Sequence, residues 1–195
     1  FLLRRQRQMC IRDSTNAVPK PVLSATQLRE QTSRRAAAGL GYNECVSYSF
    51  IDENSAKLFG GGDASTQLEN PISSEMSHMR PDLFPGLLQA ASRNQARGFF
   101  NMALFELGPV FNGGDPGNQQ NNLSGVLIGQ TASKDVHGQD REVDVFDVKC
   151  HIENILSLIG APSKFQILRG AESHWHPGRH GRCLLYTSPS PRDTP

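Results

Sequence analysis

Met102-Ala103-Leu104-Phe105-Glu106-Leu107-Gly108-Pro109-Val110-Phe111 is followed by a polar Gly/Asn/Gln stretch at 112–122, and then by Leu123-Ser124-Gly125-Val126-Leu127-Ile128-Gly129-Gln130. Two apolar runs flanking turn-forming residues predict a β-hairpin, with the return strand at 123–130. Gly108-Pro109 predicts an interruption in the first strand, because proline has no N–H to give to a ladder. Glu106 lies between Phe105 and Leu107, so on a strand its side chain points to the opposite face from theirs. A carboxylate there needs a partner.

Working outward, Ser24-Ala25-Thr26-Gln27 has capping-box spacing and predicts a helix through the Ala36-Ala37-Ala38 run, stopped by Gly39 and Gly41. Residues 44–51 alternate, with Cys45, Ser47 and Ser49 on one face and Val46, Tyr48 and Phe50 on the other. That pattern predicts a half-buried strand. Asp52 is placed to cap a short helix ending near Phe59, and Gly60-Gly61-Gly62-Asp63 makes a turn. A brief strand is expected at 66–69, broken at Asn70-Pro71. Leu83, Leu87, Leu88 and Ala91 form a helical stripe within 82–97, with Pro85 and Gly86 in its first turns and Gly98 as terminator. A second stripe, Val148, Ile152, Ile155, Leu156 and Ile159, predicts a helix over 145–159, and 165–168 reads as a final short strand. Hairpin-joined strands with segregated helices indicate an α+β fold with a mainly antiparallel sheet.

The two ends read differently from the rest. Back-translation of 8–14 admits a DNA stretch whose reverse complement, read one base out of frame, encodes 183–188. The shared DNA resembles the transposon-end adapter of sequencing libraries, so 1–14 and 183–195 are expected to be non-native, adapter-derived tails around a truncated core at 15–182. The tails hold five of the 20 Lys+Arg and two of the 19 Asp+Glu, leaving 15 basic and 17 acidic side chains. The basic start thereby loses its meaning as a nucleic-acid arm. Cys10 and Cys183 go with the tails, and the remaining Cys45 and Cys150 have neither disulfide-framework nor zinc spacing, which favours a reducing, cytoplasmic setting. No apolar run reaches the roughly 20 residues needed to span a bilayer, so no membrane association is expected.

Among candidate sites, His174, His176 and His180 flank Pro177-Gly178 and could hold zinc. A turn fixes no common aim for three rings, and a solvated turn with Trp175 packed beneath it is the favoured reading. Arg80 could grip a carboxylate or phosphate through its planar fork. An internal ion pair with Glu75 or Glu106 is favoured over that role. Gly60-Gly61-Gly62 lacks the lysine and hydroxyl residue of a phosphate-binding loop. His137 and His151 are single and read as structural. No nucleophile, base and orienter set is present. No catalytic, cofactor-binding or metal residue is therefore assigned.

An ordered succession of motifs carries a family likeness: Gly41-Tyr42-Asn43-Glu44 with Ser47-Tyr48-Ser49-Phe50; Asn70-Pro71-Ile72-Ser73-Ser74-Glu75-Met76; Met79-Arg80; Pro85-Gly86-Leu87-Leu88; Leu104-Phe105-Glu106-Leu107-Gly108; Phe146-Asp147-Val148-Lys149; and His176-Pro177-Gly178-Arg179. Together they resemble the core domain of the bacterial phenylalanine–tRNA synthetase β chain over nearly all of 15–182. The resemblance implies a class II synthetase-like antiparallel sheet flanked by helices, incomplete at its C-terminal end. It also implies a module that copies the catalytic α chain without its active site. In agreement, no basic residue follows Phe105-Glu106-Leu107-Gly108 in the strand or the 112–122 loop, where a working class II site needs an arginine on the α-phosphate.

By the same resemblance, helix 24–38 and strand 44–51 would pack on the α chain in an assembly of two α and two β chains. Leu28 and the Ala36–Ala38 run would offer the close-packing surface. The alternative is that this helix covers only its own sheet. The whole enzyme would use ATP and Mg2+ to charge its tRNA with phenylalanine, while the fragment holds no cofactor. The contrasting possibility is a free-standing class II-like paralogue acting as a binding or regulatory protein. A chain cut at 182 is expected to fold poorly alone, with a sheet edge left open.

Overall fold

The computed structural model describes residues 22–131, 141–162, 165–170, 175–176 and 180–185. Helix α1 (Ala25–Gly39) starts in the expected capping box: Ser24 Oγ accepts from the Gln27 amide, and the Gln27 side chain accepts from the Ser24 amide. Its buried face is Ser33, Ala36 and Ala37. Strand β1 (Asn43–Glu44) follows and pairs in parallel with β4 (Met102–Phe111), placing Asn43 beside Leu104 and Glu44 beside Phe105. On its other edge β4 pairs antiparallel with β5 (Gln119–Ile128) through ten matched positions, from Met102↔Ile128 to Phe111↔Gln119. This β1-β4-β5 sheet supports helix α3 (Phe84–Ala96), and Leu87, Ala91 and Leu104 form the packed centre between them.

β4 does not break at Gly108-Pro109. Phe105 O accepts from the Cys45 amide and the Phe111 amide donates to Arg80 O, so odd-numbered β4 backbone groups point away from β5. Pro109 shares that direction, and its missing N–H costs the β4–β5 ladder nothing. The return strand also begins earlier than expected, at Gln119, because polar residues 119–122 complete the ladder.

The expected continuous strand over 44–51 is two short pairings with different partners. β2 (Phe50–Ile51) leaves β4 and pairs antiparallel with β3 (His78–Met79). Residues 45–49 between β1 and β2 are irregular, yet their alternation persists: Cys45, Ser47 and Ser49 are half-buried, whereas Val46 and Tyr48 are exposed. The expected strand at 66–69 reduces to a three-residue 3-10 turn (Ala64–Thr66) and one bridge, Gln67 to His78. Helix α2 (Glu53–Leu58) is capped by Asp52, as its sequence indicates. Asp82 accepts from the Phe84 amide at the start of α3.

Helix α4 (Val145–Leu158) begins in a second capping box, Asp144 with Asp147, and Arg141 pairs with Asp147. None of its residues is fully buried. Val148, Ile152 and Leu156 of its apolar stripe line a 460 Å³ groove shared with the hairpin of β6 (Phe165–Arg169) and β7 (Gly181–Leu185). β7 adds a strand beyond the one expected to be last, and it includes Cys183 and Leu184. No helix among the described residues is long and apolar enough to cross a membrane.

Candidate functional site

β4 turns Leu104, Glu106, Gly108 and Val110 to one face, and Glu106 is 3% exposed there. The chain arriving from β3 brings Arg80, also 3% exposed, over that face. Arg80 Nη1 lies 2.7 Å from Glu106 Oε1, and Arg80 Nε donates to Pro109 O at 2.9 Å. Of its two candidate acidic partners, Glu106 is the one Arg80 takes. Arg80 thus spends Nε and Nη1 on acceptors within the chain.

Ser47 completes the arrangement, although the motif that contains it does not point to this contact. Its amide donates to Glu106 Oε1 at 3.2 Å and its hydroxyl to Glu106 Oε2 at 2.7 Å, while the same hydroxyl accepts from Arg80 Nη1 at 3.0 Å. The Arg80 amide donates to Ser49 O at 2.9 Å. Buried charges are tolerated when paired and hydrogen-bonded in this way. Two glycines leave room for it. A Cβ on Gly108 would stand 2.7 Å from Arg80 Nη2, and one on Gly86 would stand 2.6 Å from Ser47 Oγ. Beside this network the Cys45 thiol is pushed up in pKa by burial and by the Glu106 charge, with Arg93 opposing.

The network faces inward, so the apolar side chains of 45–50 face out. Val46 is 92% exposed, Tyr48 74% and Phe50 36%. They form one wall of an open cleft of about 870 Å³ that Glu75 and Arg93 also line. The α1 surface is less available than expected. Ala36 and Ala37 are buried within the chain, Ala37 lining a small cavity with Tyr42 and Phe105, whereas Leu28 and Ala38 remain exposed. Arg34 is held by Glu44 at 2.7 Å.

His151, read as a single structural histidine, receives a partner: Tyr42 Oη lies 2.9 Å from its Nδ1, tying the α1–β1 turn to α4. Burial and the Asp147 charge push the Tyr42 hydroxyl up to about 12. Of the histidine cluster, His174 lies outside the described residues. His180 stacks on Trp175 with ring centroids 5.8 Å apart, and Trp175 in turn meets Phe84 edge-on at 5.2 Å. Among the described residues no group of three or more potential ligands is placed to hold a metal. His137 also lies outside the described residues.

Residues 14–187 match the family model described as "Phenylalanyl tRNA synthetase beta chain CLM domain". The phenylalanine–tRNA ligase β subunit of Ruegeria pomeroyi is 63% identical over 171 residues, covering 88% of this chain and 21% of that protein. That of Cereibacter sphaeroides is 60% identical over 168 residues, covering 86% and 21%. The chain thus spans about a fifth of the length of these curated relatives.

Among solved structures, a Desulfitobacterium hafniense pyrrolysyl-tRNA synthetase superposes with TM-score 0.54 at 14% identity, covering 86% of this chain and 55% of that one. A histidine–tRNA ligase subunit from Alicyclobacillus acidocaldarius gives TM-score 0.52 at 13% identity, covering 79% and 45%. The fold is therefore class II synthetase-like, with the sheet flanked by helices. The chain belongs to the family of phenylalanyl-tRNA synthetase β-chain CLM domains.

Proposed function

We propose that this module is a non-catalytic part of a phenylalanine–tRNA ligase, serving to assemble the β subunit with the catalytic α subunit in the cytoplasm. The complete enzyme, two α and two β chains, would use ATP and Mg2+ to charge its tRNA with phenylalanine. The observation that carries this reading is the outward apolar row of Val46, Tyr48 and Phe50, held against a buried ionic network. A water-facing valine and tyrosine on a well-anchored segment fit the apolar centre of a subunit interface, with Arg93 and Glu75 at its polar margin. Of α1, Leu28 and Ala38 remain available to contribute, whereas Ala36 and Ala37 serve the chain's own core.

A catalytic role for the module has little support in its chemistry. Activating an amino acid with ATP builds negative charge on phosphates, and that charge needs fixed cations. Arg80 is consumed by Glu106, and β4, β5 and the turn between them carry no arginine or lysine. Co-expression of a tagged full-length subunit carrying this sequence with its α subunit tests the proposal. Co-purification in a stoichiometric complex is expected. A subunit recovered only as a monomer would refute it and favour a free-standing binding or regulatory protein.

A further inference from the structure

We infer that the Arg80–Glu106–Ser47 network is a positioning device for subunit recognition, setting which face of segment 45–50 meets the partner. This rests on the assembly role proposed above and adds the residues that control it.

A five-residue irregular link carrying Val46 and Tyr48 would ordinarily turn those side chains inward, because removing apolar surface from water is favourable. Here the opposite face is buried. The Cys45 amide is fixed to Phe105 O at 2.7 Å, the Ser47 amide and hydroxyl to Glu106, and Ser49 O to the Arg80 amide. Three successive odd-numbered residues are thus pinned to β4 and to the chain beside it. The even-numbered side chains have no remaining direction but outward.

Arg80 acts twice. Its guanidinium completes the charge of Glu106, and its backbone anchors both Ser49 and Phe111. Gly86 and Gly108 keep the space in which Ser47 and Arg80 meet Glu106. The result is an apolar row prepared before the partner arrives, which lowers the ordering cost of association.

The test uses the full-length subunit with its α subunit as the named partner. Affinity is measured by sedimentation, and hydrogen exchange is followed in peptides covering 45–49. Ser47→Ala removes the hydroxyl that bridges Glu106 and Arg80. Gly86→Ala places a methyl against that hydroxyl and leaves both charges in place, so it serves if Ser47→Ala yields no folded subunit. Tyr48→Asp is the control that strikes the row itself.

All three are expected to weaken α association at least tenfold. Only the first two should speed exchange at 45–49, with β5 unchanged. If Tyr48→Asp weakens association but Ser47→Ala and Gly86→Ala leave it within twofold, the positioning role is overturned while the docking surface stands. A lowered melting temperature with unchanged affinity in those two variants overturns it equally. If Tyr48→Asp has no effect on α association, or disrupts only pairing between two β subunits, the docking surface and the inference fall together.

Discussion

Replacing Glu106 by glutamine isolates the charge of the buried network, because the side chain keeps its shape and one carbonyl oxygen. Glu106→Gln therefore leaves a guanidinium that is 3% exposed without a counter-charge. It retains the Pro109 carbonyl at 2.9 Å and the Ser47 hydroxyl at 3.0 Å, which stabilise the cation only in part. Orphaning one member of a buried pair costs about 3–5 kcal/mol, and the surviving hydrogen bonds place this case near 3 kcal/mol. At 1.4 kcal/mol per decade that is on the order of a hundredfold in the local opening constant.

Native-state hydrogen exchange of the full-length subunit reads this directly, since peptides covering β4 report its opening free energy. Exchange at 102–111 should accelerate about a hundredfold. The double variant Arg80→Met/Glu106→Leu should recover part of the loss, because removing both charges leaves no orphan. Acceleration below tenfold in Glu106→Gln, or a double variant worse than the single one, would refute the assignment of a buried, charge-dependent pair.

Other expectations concern the periphery of the sheet. Arg141, through its hydrogen bond, holds the Asp147 carboxyl down to about 2, so any support it lends α4 is present above the ordinary carboxylate range near 4 and is lost as pH falls toward 2. Arg141→Ala should raise Asp147 toward that range by NMR titration, with the Asp144 amide still holding it down in part, and an unmoved midpoint would contradict the assignment. Tyr42 ionises near 12 in the folded chain against about 10 when unfolded, so stability should decline as pH rises from 10 to 12. Tyr42→Phe should remove that alkaline step in pH-resolved melts, and its persistence would assign the step elsewhere. Gly108→Ala should destabilise by about 1–3 kcal/mol through overpacking against Arg80, read as a lower urea midpoint with little change in slope.

Local chemistry makes much of this architecture legible. Ser24 with Gln27 and Asp52 mark helix starts because their caps are formed by residues three apart or fewer. The hairpin is legible because its two strands are neighbours in the chain. Expectation and structure part where distant partners decide. A period of two at 44–51 describes which way side chains point, but not that β1 answers to β4 and β2 to β3. Pro109 suggests a break because composition does not say which edge its nitrogen faces. Arg80 with Glu106 is accessible from the cost of burying charge. Ser47, Gly86 and Gly108 are not, since their roles depend on contacts between segments dozens of residues apart. One clue is present: Gly108 shares the face of Glu106 two residues away, where an arginine needs room.

Whether the exposed row on segment 45–50 meets the α subunit is tested most directly by a photo-crosslinking phenylalanine analogue in place of Tyr48, in the full-length subunit co-expressed with α. A light-dependent β–α adduct is predicted, absent when the analogue replaces exposed Leu158 at the end of α4. Equal adduct from both positions, or none from position 48 in a complex shown to be intact, would contradict that role for the row.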